Sequence, residues 1–182
     1  MFFNGEMVRA LLDGRKTQTR RPVKFPLFDK NLGCELAGNE LAGELAAGNY
    51  LNSAFGKPGH RIWVRETWTP ESIDAEDGSY SPDYRATANG QPLDGRWTPA
   101  IHMPRWASRI TLEITDVRVE RLKSISDGDA IREGCSATDM KSGDCAADVF
   151  ARLWASIYGE ESWNSNPWVW VIQFERVEGG AA

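Results

Sequence analysis

Gly14-Arg15-Lys16-Thr17-Gln18-Thr19-Arg20-Arg21 places an amine three residues before a hydroxyl and surrounds both with further cations. Such a set can do nucleophilic chemistry, with Thr19 attacking a carbonyl carbon and Lys16 taking the hydroxyl proton. A lysine at its ordinary pKa is neutral in only roughly 0.04% of molecules at pH 7, so that role requires a lowered pKa. Partial burial and the positive field of Arg15, Arg20 and Arg21 push it down, while a contacting carboxylate pushes it up. On a regular strand Lys16 and Thr19 point to opposite faces, so their cooperation asks for a turn or a bulge.

The elements that must position these residues follow from the pattern. Residues 5–13 are predicted as a helix with Met7, Leu11 and Leu12 near one face and Gly14 as its left-handed cap, so the reactive segment starts at a helix exit. Residues 25–56 are read as an irregular insertion with a short helix near 40–47, followed by a turn at Lys57-Pro58-Gly59 and a strand over 60–66. A second insertion, 69–100, is rich in Pro, Gly, Asp and Ser and carries only a strand-like Tyr84-Arg85-Ala86. The longest strand signal is 108–121, with a parity break near Asp116. Ser126 to Gly134 reads as a short capped helix, 146–158 as a longer one carrying Val149, Leu153, Trp154 and Ile157, and 168–174 as a closing strand. Strands with few helices imply an α+β fold, a small mixed β-barrel with flanking short helices and two long loop insertions.

The chain has 182 residues, enough for one domain spanning 1–182 with a single core. No apolar run of about 18 residues and no signal-like start is present, so a soluble cytoplasmic protein without membrane partners is expected. A net charge of -5 argues against a nonspecific duplex-DNA binder. The charge is uneven, with a basic stretch over 9–24 and an acidic loop at Asp74, Glu76 and Asp77, which suits a small anionic or nucleotide ligand better than a long polyanion. Cys34, Cys135 and Cys145 form no CxxC pair and only His60 and His102 could join them, so neither a metal nor another cofactor is expected. Cys135, near Glu133, is a weaker thiol-nucleophile candidate. Of the eight tryptophans, Trp63, Trp154, Trp168 and Trp170 fit core positions, whereas Trp68, Trp97 and Trp106 lie in or beside loops and can stack on a nucleobase.

Three segments together carry a family resemblance: Gly14-Arg15-Lys16-Thr17-Gln18-Thr19-Arg20, Pro58-Gly59-His60-Arg61-Ile62-Trp63-Val64 and Val169-Trp170-Val171-Ile172-Gln173-Phe174. In that order they resemble the ASCH domain, a β-barrel related to the PUA-like fold. Some small bacterial members are amidohydrolases that deacylate N4-acylcytidine with a lysine, a threonine and a glutamate. The resemblance implies that Lys16 is the base and Thr19 the nucleophile, and it carries the glutamate onto Glu133, with Glu120 and Glu66 as alternatives. Glu133 is then expected to face the hydroxyl or the leaving nitrogen more than the ammonium. Thr17, Arg20, Arg21, Arg65, Glu66 and Trp68 are the expected substrate contacts, although a surface ion pair is the plainer reading of Glu66. The two insertions are expected to roof the cleft. The partner implied is a small nucleoside or nucleobase. The alternative is an RNA-binding module, with or without ribonuclease activity, that takes single-stranded RNA.

Overall fold

The computed structural model describes residues 1–73, 80–88, 92 and 95–177. In chain order its main elements are α1 (Gly5–Leu12), β1 (Gln18–Pro22), α2 (Gly38–Ala46), β2 (Arg61–Trp63), β3 (Trp68–Ile73), β4 (Tyr80–Tyr84), β5 (Thr111–Arg121), α3 (Asp127–Arg132), α4 (Ala146–Tyr158), α5 (Glu160–Asn164) and β6 (Trp168–Val177). The fold is α+β, and short 3-10 turns fill several of the connections. Among the described residues no helix is long and apolar enough to cross a membrane.

The chain divides into two compact units, each assembled from distant segments. The first comprises Met1–Gly14, Arg61–Glu113 and Arg176–Ala182. Its helix α1 starts at Asn4, whose side chain accepts from the Met7 amide at 2.8 Å, and it buries Val8, Ala10 and Leu11. The buried stripe is thus set by Val8 and Leu11, one residue out of phase with the Met7 face expected from the sequence. Gly14 follows the helix at φ +73°, the left-handed conformation that glycine adopts without a Cβ penalty. Strand β2 pairs antiparallel with the opening of β5, Ile62 opposite Leu112. The second insertion departs from expectation: its described part contains the antiparallel ribbon β3-β4, with a register shift between Thr69 and Ser72. Pro70 sits inside that irregularity and breaks the alternation by which a strand is read from sequence. Trp68, Met103 and Ala107 form a small core there, with Tyr84 packed against it. The acidic residues Asp74, Glu76 and Asp77 lie outside the described residues.

The second unit, Arg15–His60 with Ile114–Glu175, carries the reactive segment. Strand β1 pairs antiparallel with β6, Gln18 opposite Gln173 and Arg20 opposite Val171, and β6 is in turn the neighbour of β5. Along β5 the buried positions are Leu112 and Ile114, then Val117 and Val119, so the parity change falls where the sequence places it. Helices α3 and α4 cover Val169 and Val171 of β6, forming a cluster with Leu122, Ile125, Ala130, Ala146, Phe150 and Trp154. Phe150, 3% exposed, belongs to that buried face, whereas Ile157 is 46% exposed. The first insertion is ordered by polar contacts. Asp29 accepts from the amides of Asn31 and Leu32, and the Asn52 amide bridges Asp29 and Glu44, both at 2.8 Å.

Candidate active site

Lys16 stands just before β1, and its neighbour Thr17 is held from both sides. The Thr17 amide donates to the Arg132 carbonyl at 2.8 Å, and the Phe174 amide donates to the Thr17 carbonyl at 2.9 Å. This fixes the lysine against the end of α3, where Glu133 is the helix C-cap. Lys16 Nζ donates to the Glu133 carbonyl at 2.7 Å, to the Gln18 carbonyl at 2.8 Å and to Glu133 Oε2 at 3.0 Å. The pair is sealed from water, with side-chain exposures of 0% and 3%. Two of the three residues expected to do the chemistry are therefore brought together across 117 positions of sequence. Their orientation corrects one expectation, because the Glu133 carboxylate faces the Lys16 ammonium. A buried ammonium needs a counter-charge more than a hydroxyl needs an acceptor.

Arg20 lies on the same face of β1 as Gln18, since side chains alternate along a strand. Its guanidinium joins the pair: Nη1 donates to Glu133 Oε1 at 3.2 Å, while Nη2 reaches Glu120 Oε1 at 2.6 Å and Asp129 Oδ2 at 3.4 Å. With its amide turned to satisfy its neighbours, Gln18 accepts from Arg20 Nη1 at 2.6 Å and donates to Asp129 Oδ1 at 3.3 Å. Arg118 closes the group from outside, reaching Glu120 Oε2 at 3.1 Å and Asp129 Oδ1 at 3.4 Å. The Arg20 side chain is wholly buried, its Nε finds no partner among the described residues, and its cationic carbon sits 5.7 Å from the Phe150 ring centroid. It is thus a member of an internal charge array and not the accessible anion contact that the basic stretch suggested.

Burial dominates the Lys16 titration and lowers its pKa from 10.5, opposed by Glu133 and assisted by the field of Arg21. For Asp129 burial raises the pKa, but hydrogen bonds from Ser126 and the charges of Arg20 and Arg118 outweigh it and hold the carboxyl below 3.8. The Cys135 thiol is pushed up to about 11 by burial and by Glu133, so it is protonated at neutral pH and a poor nucleophile. Among the described residues no group of three or more His, Cys, Asp or Glu side chains is arranged to hold a metal ion.

The remaining predicted residues have other settings. Thr19 is 2% exposed and lies opposite Ile172 in an unbroken register. With no bulge in β1, alternation turns its side chain to the face opposite Gln18 and Arg20. Thr17 is half-buried, and Arg21 reaches the Tyr158 hydroxyl at 3.4 Å. Glu66, Arg65 and Trp68 belong to the first unit. Glu66 is no surface pair: it is 2% exposed and bound bidentately by Arg109, with both contacts at 2.9 Å. Arg65 stacks over Trp63 at 4.2 Å and over Phe2 at 5.3 Å. Trp68 is a strand residue, 5% exposed, meeting the 67%-exposed Trp106 edge to face at 5.4 Å. Its indole N–H has no partner among the described residues. Trp97 is half-buried.

Sequence reasoning missed Gln18, Arg118 and Asp129. A usable signal existed for Asp129, which sits three positions after Ser126 in a capping box and four before Glu133, so it shares the face of α3 that Glu133 continues.

No family model matches the chain, and no match is found among curated proteins. Among solved structures it is similar to the crystal structure of protein EF3133 from Enterococcus faecalis V583, described with the family model DUF984. The identity is 12% and the TM-score 0.43, with 100% of this chain and 81% of that chain covered.

Proposed function

We propose that the protein is an amidohydrolase of the ASCH kind, a PUA-like barrel enzyme that removes the acyl group from N4-acylated cytosine nucleosides. The observation that carries this reading is the buried contact of Lys16 Nζ with Glu133 Oε2 at 3.0 Å. The resting arrangement sets one condition on the mechanism. Lys16 donates to three acceptors as an ammonium, so it becomes a base only after passing a proton to Glu133. That transfer yields a neutral amine and a neutral carboxylic acid, a state that burial favours. In the resting register Thr19 faces away from Lys16, so the attack requires the edge strand β1 to bulge there and turn the hydroxyl to the amine. The amine then takes the Thr19 proton as the hydroxyl oxygen adds to the acyl carbon, and the Glu133 acid protonates N4 as the C–N bond breaks. Water hydrolyses the resulting ester and returns the hydroxyl.

The test is turnover of N4-acetylcytidine by purified protein with a chelator present, followed by chromatography. Release of cytidine, lost in Lys16→Ala and strongly reduced in Glu133→Gln, is the expected result. Absence of turnover on every N4-acylcytidine tried, or its loss with EDTA, overturns the reading.

A further inference from the structure

We propose that Arg20 is the positioning residue of this site, holding Glu133 by one oxygen so that the other is fixed on the Lys16 ammonium. It deepens the amidohydrolase reading and rests on it for the claim that Glu133 takes part in a reaction. The geometric claim stands on its own contacts. Glu133 divides its carboxylate between two cations, with Oε1 on Arg20 at 3.2 Å and Oε2 on Lys16 at 3.0 Å. Arg20 in turn divides its fork: Nη1 serves Glu133 and the Gln18 amide oxygen, while Nη2 is anchored by Glu120 at 2.6 Å and Asp129 at 3.4 Å. Both anchors are also held by Arg118, so Arg20, Glu120, Arg118 and Asp129 close a circuit of alternating charge. This circuit anchors the guanidinium through Nη2, and Nη1 is shared between the Gln18 amide oxygen at 2.6 Å and Glu133 Oε1 at 3.2 Å. The short helix α3 enforces the same geometry, since Asp129 and Glu133 are four residues apart and meet the same guanidinium. A lysine at position 20 has the charge but a single point donor and cannot span the anchors and Glu133 together.

The role is read by the exchange of the Lys16 ammonium protons, observed by NMR on protein labelled with 15N at the lysine side chains. In the parent protein these protons are protected by burial and three acceptors. In Arg20→Lys, checked for a cooperative thermal transition, their exchange is expected to be about tenfold faster or more, because Glu133 is released to swing off the ammonium. Unchanged exchange in a folded Arg20→Lys overturns the proposal. Should Arg20→Lys fail to fold, Asp129→Asn and Glu120→Gln each loosen Nη2 at partly exposed positions, and exchange is expected to rise about threefold in each. No change in either variant overturns it equally. Where the parent turns over N4-acetylcytidine, the proposal expects Arg20→Lys to lower kcat with KM unchanged, and a raised KM with intact kcat overturns it by making Arg20 a substrate contact. A parent without turnover removes the amidohydrolase reading and leaves the exchange result to decide the positioning role.

Discussion

Lys16 is pulled in two directions, because its acceptors hold the proton while its burial disfavours the charge. Burial prevails and sets the pKa below 10.5, so between that lowered value and 10.5 the unfolded chain binds the proton more tightly than the native one. Unfolding takes up protons in this window, and stability attributable to Lys16 therefore rises as the pH climbs towards 10.5. Urea unfolding across alkaline pH is expected to show this rise in the parent and to lose it in Lys16→Met. The same variant removes the Glu133 partner and is expected to cost about 3–5 kcal/mol at neutral pH, the cost of breaking a buried pair. For Thr19 the decisive comparison is with serine. Thr19→Ala should lower kcat by about a thousandfold or more and Thr19→Ser should retain measurable turnover. An alanine variant that hydrolyses as fast as the parent would transfer the attack to a water activated by Glu133.

At the scale of elements, two close fits hold the second unit around the site. Gly38 opens α2 directly against Trp168, the first residue of β6, and a Cβ built on it overlaps the indole atoms Cδ1, Nε1 and Cγ. Gly38→Ala gains helix propensity, but the overpacking costs about 1–3 kcal/mol and prevails. Thermal melting should show a lowered midpoint for this variant and none for Gly43→Ala on the same helix, where the added carbon meets open space. Helix α3 is the second fit. With only six residues it is held by its capping box at one end and by the Thr17–Arg132 and Lys16–Glu133 contacts at the other. Its propensity contributes little, so Ser126→Ala is expected to cost about 1 kcal/mol and to loosen the Asp129 anchor at the same time.

For the molecule as a whole, acid is the informative perturbant. Asp29, Asp129, Asp144 and Asp148 are all held below 3.8, chiefly by hydrogen bonds against the opposing effect of burial. Depressed carboxyl pKa values stabilise the native state above 3.8, and that contribution disappears as the pH falls through the native values. Urea midpoints should therefore drop steeply below about pH 4, and Asp129→Asn should flatten part of that drop. How much of this was legible in sequence differs by element. Helix α4 was readable to its end residues because its apolar period and glycine stop act locally. The β3-β4 ribbon was hidden by Pro70, and α5 by its brevity. Lys16 could be singled out by type and Glu133 only through the family resemblance, with Glu120 and Glu66 left as alternatives. The charge circuit could not, since its members come from 18–20, 118–120 and 129–133 and only tertiary pairing makes them neighbours.

Strand β1 finds its partner in β6, with Gln18 opposite Gln173 and the two separated by 155 positions. During synthesis at a ribosome's pace of about 5–20 residues per second, the cations around Lys16 would emerge roughly 8 to 30 s before the strand that pins them. Throughout that interval the nascent segment has no ladder to join, and its amine, hydroxyls and guanidinium groups remain hydrated. The centre is consequently among the last parts of the protein to come into being. A chain cut short ahead of Trp168 would carry every residue of the charge circuit and still lack the strand that sets their register.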